Sequence, residues 1–429
     1  MNVPSLANKP IYIRLWLGLL LVFAFSAHAE EPLTLAESIT LATENQPLLQ
    51  SLDDAATSSR QAAVAEGQLP DPKIKFGILN LPVTNSDALR FSRDDQTAVN
   101  IGISQDIIPL KKREIASKRM EAEADQFHTE QVATARSIER DVAMAWLDVF
   151  EAQRKSELYQ RIMDEMTAER KTLIARISSN GAQTSEVLRL DNKLSMTKDK
   201  HITAQRDERK ARAGLARWIG ASSLRPISAE LPVMINSLNR DAALAEIEKH
   251  PLLQNAHQTE KLAQFDADKA QADYQRNWGW EVGYGKRFAD RSDMLSFQVS
   301  MDLQLDRANR QDRRTAEKLV LVEKSRKLTE DRRRELSAEL ESALADAEAA
   351  AARENEHQAK LIPNAKARLS VAQAAYTAGK QSLSEVWEAR RDLIDIEVDH
   401  WTILTDRQRA AVKIGYLLND PRLFKENQQ

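Results

Sequence analysis

The sequence predicts a mostly α-helical protein with a smaller β part, built as two tandem repeats of a helix, two strands and a long helical hairpin. One observation is an internal duplication: residues 187–218 return as residues 386–417 with an offset of 199, and Ser185-Glu186-Val187 returns as Ser384-Glu385-Val386. The second is a set of long segments whose apolar residues recur every three or four positions, as in a coiled coil. The third is four short segments in which apolar and polar residues alternate, as in strands with two unlike faces.

The N-terminal segment has the features of an export signal. Lys9 and Arg14 give it a basic start, an apolar run follows at 15–25, and Ala27-His28-Ala29 places small residues where a signal peptidase cuts. The apolar run is shorter than the ~20 residues that a membrane-spanning helix needs. We therefore expect residues 1–29 to be a cleaved signal peptide rather than an uncleaved anchor.

Composition excludes several classes of site. The chain contains no cysteine, which excludes disulfides, thiolate metal sites and a lipid attached through an N-terminal cysteine. Its 61 basic and 64 acidic residues nearly balance, so nucleic acid is not expected as a partner. Charged residues make up 29% of the chain and aromatic residues only 5%, a profile typical of long solvated helices.

The first repeat is expected to span residues 30–225. It opens with helix at about 33–69, broken at Pro47, because proline lacks the amide proton that a helix interior uses. Asn180-Gly181 separates the two helices of the hairpin, since glycine readily ends a helix. The strands are expected at about 73–81 and 97–106, and the long helices at about 110–179 and 182–219. At 1.5 Å per residue, the first long helix would measure roughly 100 Å.

The second repeat is expected to span residues 226–420, followed by a C-terminal tail at 421–429. Gly379 ends its first long helix, and Pro363 should kink that helix. The strands are expected at about 278–288 and 294–305, and the long helices at about 307–378 and 382–418.

The alternating segments allow two interpretations. They are either half-buried hairpins of a soluble protein or membrane-spanning strands, which need ~9–11 residues with this alternation. An open sheet edge in lipid would leave backbone groups unpaired, and four strands cannot close a barrel. Membrane insertion therefore requires several copies, and three copies would supply twelve strands. The residues expected to face lipid are Ile74, Phe76, Val99, Ile101, Trp280, Tyr284, Phe297 and Val299.

No catalytic or cofactor-binding motif is evident in the sequence. Six histidines follow the expected cleavage site, at His128, His201, His250, His257, His357 and His400. None has the spacing of a helical zinc motif. His201 and His400 occupy equivalent seam positions, where polar residues usually set the register of packed helices. We expect no enzymatic activity, no metal site and no cofactor.

The order of these elements resembles the outer-membrane efflux protein family, the TolC-like exit ducts, over essentially the whole mature chain. The residues that carry the resemblance are Leu33-Thr34-Leu35-Ala36-Glu37-Ser38, Pro47-Leu48-Leu49 with its copy Pro251-Leu252-Leu253, Ile103-Ser104-Gln105-Asp106, and Tyr376-Thr377-Ala378-Gly379 with residues 384–390. Within this family, residues 105–113 and 303–310 resemble the strand-to-helix junctions of the CzcC-like ducts of heavy-metal efflux systems. Two departures are Lys111, which stands where glycine usually precedes the basic pair, and the absence of prolines common in the second junction.

The resemblance implies a homotrimer with a twelve-stranded barrel in the outer membrane of a Gram-negative bacterium and an α-helical tunnel in the periplasm. Such a duct works with a periplasmic adaptor and an inner-membrane RND-type pump. The CzcC-like junctions imply divalent heavy-metal cations, such as cobalt, zinc or cadmium, as cargo. Two alternatives remain open: a duct for drugs or type I protein secretion, and a soluble periplasmic coiled-coil adaptor whose strands form a small sheet.

The resemblance also implies a constriction at the periplasmic end of the tunnel. It aligns Glu385 and Glu388, which lie one turn apart, with acidic residues that line this constriction. A trimer would stack them as two carboxylate rings, an arrangement that favours cations. The alternative interpretation is a solvated helix face. Lys380 and Arg390 flank the pair and are expected to tie the closed tip through salt bridges. The hairpin ends expected to contact the adaptor lie near Gly181 and Gly379.

Overall fold

The structure is a computed structural model that describes residues 31–44, 46–178, 184–231 and 240–420. The expected signal peptide, the C-terminal tail and Gly181 lie outside these residues. The described α-helices are α1 (Leu35–Glu44), α2 (Pro47–Glu66), α3 (Leu110–Ser178), α4 (Thr184–Ile219), α5 (Arg240–Glu246), α6 (Pro251–Ala272), α7 (Gln311–Glu356), α8 (Ile362–Thr377) and α9 (Leu383–Leu417). The strands are β1 (Lys73–Leu79), β2 (Ala98–Ile107), β3 (Trp278–Arg287) and β4 (Met294–Met301).

The helices and strands follow one another twice in the same order. Helices α1 and α2 precede β1 and β2, and the long hairpin α3–α4 follows. Helices α5 and α6 precede β3 and β4, and a second hairpin built from α7, α8 and α9 follows. The predicted fold class, mostly helical with a small sheet, is confirmed.

The four strands form one antiparallel sheet in the order β1-β2-β3-β4. Strands β2 and β3 are the central pair, so backbone hydrogen bonds join the two repeats from Ala98 opposite Arg287 to Ile107 opposite Trp278. Strands β1 and β4 are the outer strands, and each pairs with a single neighbour in the described chain. Each outer strand therefore leaves one edge of backbone donors and acceptors open.

Helix α3 runs the length of the helical part. It has 69 residues, which corresponds to about 100 Å. Its middle carries the largest buried side chains: Trp146 and Phe150 stack with ring centroids 5.6 Å apart. The Trp146 indole also donates to the backbone carbonyl of Leu33 at 3.0 Å. This lateral packing matters because most helical stability in proteins comes from burial of an apolar face.

Strand β4 ends earlier than the sequence predicted. It stops at Met301 rather than at residue 305. Met301 is opposite Trp278, the first residue of β3, so no backbone of β3 remains to pair with the residues that follow. Alternation continues through Leu303 and Leu305, but both side chains are exposed and lie outside the strand.

The second long helix is interrupted close to the predicted kink. It begins at Gln311 rather than at residue 307, and a π-helical turn at His357–Leu361 separates α7 from α8. Pro363 accounts for the interruption, because it lacks an amide proton and its ring clashes with the carbonyl four residues earlier. The residue of α3 at the equivalent repeat position is Asp164, and α3 is continuous there.

His250 is a buried histidine at the start of α6. Its Nδ1 accepts a hydrogen bond from the backbone amide of Leu252 at 3.2 Å, and its ring packs edge-on against Tyr416 at 4.9 Å between centroids. Burial lowers the pKa of His250 to about 4, and the charges of Arg140 and Arg332 contribute to the same shift. The imidazole of His250 therefore binds a proton more readily in the unfolded chain than in the folded chain.

Acid should destabilise the fold through His250. The free energy of unfolding is expected to fall as the pH drops from about 6.5 towards 4, by about 2 kcal/mol at pH 5 from this residue. His250→Asn keeps a capping acceptor but cannot titrate, so its thermal unfolding midpoint in detergent should fall less between pH 7.5 and 5 than that of the wild type. His128→Asn, at an exposed position on α3, is the control and should keep the wild-type pH dependence. Equal pH dependence in all three proteins would refute this role.

Candidate functional site

The register of the sheet collects the alternating apolar residues on one face, which we call the apolar face. One row across the strands contains Phe76, Ile101, Tyr284 and Leu295, and the next contains Ile74, Ile103, Val282 and Phe297. Val99 lies opposite Ile78, and Trp280 lies opposite Val299, on the same face. The structure therefore brings together all eight strand residues that the sequence predicted as a set.

The apolar face is open in the single chain. Ile74 and Phe76 are each 79% exposed, and Phe297 is 70% exposed. Val99 and Trp280 are half-buried. An exposed apolar surface that is continuous over four strands is unfavourable in water and usually marks a surface that meets lipid or another protein.

The opposite face of the sheet is polar, and we call it the polar face. Lys73 pairs with Asp106 at 2.7 Å, and Lys75 forms an ion pair with Glu281 on β3. Alternation alone places these residues at polar positions of their strands. It does not reveal the two ion pairs, because they depend on the register between strands.

Glycines on the polar face let neighbouring strands approach closely. Gly102 lies opposite Gly283. A Cβ added to Gly102 would sit 3.0 Å from the carbonyl oxygen of Val282, and one added to Gly283 would sit 2.9 Å from Ser296 Oγ. Interior glycines of this kind allow a sheet to bend. The sheet can therefore curve towards the polar face, which leaves the apolar face on the outside of the curve.

The described helices include none that is both long and apolar enough to cross a membrane. Within the same parts of the chain, no group of three or more histidine, aspartate or glutamate side chains could hold a metal ion. His201 lies in the helical seam, where its Nδ1 is 3.2 Å from the carbonyl oxygen of Ser156.

The second hairpin turns at Gly379. Its φ of +68° lies in the left-handed region, which favours glycine. The amide of Gly379 donates to Tyr376 at 2.9 Å, and the amide of Lys380 donates to Ala375 at 2.9 Å, which together satisfy the last carbonyls of α8 in a Schellman motif. The predicted chain reversal at Gly379 thus has a specific backbone cause.

Contacts between the two hairpins hold their ends side by side. Arg176 near the end of α3 donates to the Tyr376 hydroxyl at 2.6 Å. Arg390 on α9 pairs with Glu165 on α3 at 3.0 Å and lies over the buried Trp387 ring at 5.2 Å. In the single chain Arg390 therefore bridges to the other hairpin rather than to the neighbouring acidic pair. Sequence patterns did not predict the contacts of Arg176 with Tyr376 or of Arg390 with Glu165, since each joins residues 200 or more positions apart.

Glu385 and Glu388 lie on the first turns of α9, and both are exposed. Neither forms an ion pair with a described residue. Lys193 on α4 lies near Glu388: burial lowers the pKa of Lys193, and the charge of Glu388 offsets part of this shift. Lys380 is also exposed and has no ion-pair partner among the described residues. This end of the molecule thus presents two carboxylates, one turn apart, that no described residue neutralises by a direct ion pair.

No protein-family model and no curated protein sequence matches the chain. Solved structures match it closely in shape. The Campylobacter jejuni CmeC outer membrane channel aligns with 100% of this chain and 95% of its own, with a TM-score of 0.76 and 11% identity. The open state of the Neisseria gonorrhoeae MtrE outer membrane channel aligns with 92% of this chain and 91% of its own, with a TM-score of 0.72 and 17% identity.

CusC, crystallised to study folding and transmembrane channel formation, aligns with 90% of this chain and 91% of its own, with a TM-score of 0.72 and 14% identity. These likenesses extend over both the sheet and the helical hairpins, since nine tenths or more of each chain is matched. The chain therefore has the fold of these outer-membrane channels, as the sequence resemblance implied.

Proposed function

We propose that the chain is the exit duct of a tripartite efflux system, a homotrimer in the outer membrane of a Gram-negative bacterium. The observation that carries the proposal is the apolar face of the sheet. This face is exposed over all four strands, and the sheet has two open edges, at β1 and β4. Neither water nor lipid accommodates such a sheet alone, because water disfavours the apolar face and lipid disfavours unpaired edges.

A trimer removes both problems. The strand order is a simple meander, so β4 of one copy runs antiparallel to β1 of the next and can pair with it. Three copies supply twelve strands, which suits the even strand numbers of bacterial outer-membrane barrels. The curvature favoured by Gly102 and Gly283 would turn the polar face inward and the apolar face towards lipid. The eight residues expected to face lipid would then form the membrane belt.

The helical part would form a tunnel in the periplasm. Helix α3 begins just beyond β2 and extends about 100 Å from the sheet. At its far end, the turns near Gly379 and Gly181 would meet a periplasmic adaptor, which connects the duct to an inner-membrane RND-type pump. The duct itself would have no enzymatic activity and no cofactor. Without a cysteine, it would not be anchored by a cysteine-linked lipid.

The exposed carboxylates of Glu385 and Glu388 support a constriction at the tunnel end. In a trimer they would form two stacked rings that attract cations. Lys380 lies at the adjacent turn, and the Arg390–Glu165 pair would hold the second hairpin against the first. Opening of the tunnel would require the hairpins to shift along this contact.

The cargo is proposed to be divalent heavy-metal cations, such as cobalt, zinc or cadmium. The support is the resemblance of residues 105–113 and 303–310 to the junctions of CzcC-like ducts, together with the acidic tip. A duct for drugs or for secreted proteins would share the fold. A soluble periplasmic adaptor is the rival of a different class, and the exposed apolar face weighs against it.

Two substitutions at neighbouring residues of β4 test membrane insertion. Phe297→Arg places a charge on the apolar face and should cost about 2–4 kcal/mol near the bilayer centre. Gln298→Arg places the same charge on the polar face, opposite Glu281, and should be tolerated. We expect wild type and Gln298→Arg to remain in the outer-membrane fraction as trimers that require detergent for release, and Phe297→Arg to be depleted. Release of the wild-type protein by buffer alone would favour the adaptor.

Single-channel recording tests the acidic tip. Replacement of Glu385 and Glu388 by glutamine should lower the cation-to-anion permeability ratio towards one, because two carboxylate rings are removed from the constriction. Glu186→Gln is the matched control: it is the repeat equivalent of Glu385, but Arg189 stands one turn later where the second half has Glu388. The control should change selectivity less. Unchanged selectivity in the double variant would reject this constriction.

A growth screen tests the cargo. A strain that lacks this chain should become more sensitive to cobalt, zinc or cadmium and recover when the gene is restored, whereas sensitivity to antibiotics should change little. Sensitivity confined to antibiotics, or a secretion defect alone, would assign the duct to drugs or proteins instead.

A further inference from the structure

A pair of histidines lies at the break in the second long helix. His357 opens the π-turn between α7 and α8, and His400 on α9 faces it with ring centroids 6.1 Å apart and ring planes within 16°. His357 is only 9% exposed, and His400 is half-buried. The Nδ1 atoms of both rings are buried without a hydrogen-bond partner among the described groups.

The groups around the pair would do little to stabilise a protonated imidazole. The charged groups around it are Arg154, Glu157 and Arg161 on α3, Glu354 on α7, Lys366 on α8, and Glu397 and Arg407 on α9. Two of the three carboxylates are already engaged, since Glu354 binds Arg407 at 2.6 Å and Glu157 binds Arg154 at 2.8 Å. Burial lowers the pKa of His400, and His357 lowers it further, although Glu354 offsets part of the shift.

The break also has room to open. A cavity of about 280 Å³ beside it is lined by Leu158 of α3, Ile362 of α8, and His400 and Trp401 of α9, among others. Water can occupy a cavity of this size when polar groups line it. The helix is weakened at the same place, because a π-turn departs from the regular ladder and Pro363 cannot donate to it.

We propose that His357 and His400 make the π-turn a pH-sensitive hinge. At neutral pH the imidazole of His400 is uncharged and packs against the His357 ring. Protonation of His400 at acid pH places a positive charge beside a second imidazole, in a partly buried site whose carboxylates are largely engaged. The turn then opens so that the imidazolium reaches water, and the α8–α9 hairpin beyond it shifts. If the chain is the duct proposed above, acid therefore favours dilation of the tunnel end that carries Glu385 and Glu388.

The first repeat provides an internal control for this hinge. His201 is the repeat equivalent of His400, but Leu158 stands where the second repeat has His357, and Asp164 stands where it has Pro363. Helix α3 is continuous through this position. One half of the molecule thus has a single seam histidine in an unbroken helix, whereas the other has a histidine pair at a break.

Hydrogen–deuterium exchange of the purified full chain in detergent tests the hinge. At pH 5.5, amide protection over residues 353–363 should be lower in the wild type than in His357→Leu, which copies the first repeat, or in His400→Gln. The expected difference is up to about 10-fold, because one imidazole that binds a proton with the ordinary pKa of ~6.5 only in the open turn favours opening by about that factor at pH 5.5. At pH 7.5 the three proteins should show closely similar amide protection over these residues.

Two controls give the result its meaning. His201→Gln should retain the wild-type exchange at both pH values, and residues 154–164 should show no acid-dependent loss of protection in any variant. Equal protection in the wild type and both hinge variants at pH 5.5, or the same effect from His201→Gln, would overturn the hinge. Channel recording at the two pH values separates the two proposals. A protein that conducts ions but shows no acid-dependent loss of amide protection at the π-turn refutes only the hinge. A protein that shows this loss of protection but forms no channel refutes only the duct.

Discussion

The open edges of β1 and β4 constrain everything else in this molecule. Each unpaired backbone group costs several kcal/mol in a bilayer, and an exposed apolar edge in water invites uncontrolled association. In the proposed trimer, pairing between copies would satisfy the edges, and lipid would cover the apolar face at the same time. The meander order permits it without rearrangement, because the two outer strands of adjacent copies run in opposite directions. On that proposal, assembly and membrane insertion would be a single coupled event.

The sheet fixes the positions of the long helices. Strand β2 ends at Ile107 and α3 begins at Leu110, so little chain is available to change direction between them. Lys112 at the start of α3 also pairs with Asp273 at the end of α6, at 3.3 Å. The sheet ends of the two repeats are therefore fixed relative to each other. Closing the sheet of three copies into a barrel would consequently arrange their helices in a ring, and the distant hairpin ends would follow.

Periodicity predicted the elements because each has an apolar face that burial or lipid must cover. The same reasoning placed the eight residues predicted to face lipid on one side of the sheet, since strand alternation fixes which residues share a side. It could not identify contacts between distant segments, such as Arg390 with Glu165 or Lys75 with Glu281, because these depend on register and packing. The end of β4 was also missed, since Leu303 and Leu305 continue the alternation although no partner strand remains. Pro363 indicated a break but not that the helix would widen into a π-turn.

Duplication followed by divergence explains how one chain can be both rigid and adjustable. Three differences between the repeats fall within the second hairpin: Glu388 in place of Arg189, Pro363 in place of Asp164, and His357 in place of Leu158. Each removes a feature that favours a static helix, namely a neutralising charge, a continuous backbone or an apolar seam residue. The first hairpin keeps all three and remains unbroken in α3. In a threefold assembly the two kinds of hairpin would alternate around the tunnel, so the continuous ones can maintain the wall while the interrupted ones move.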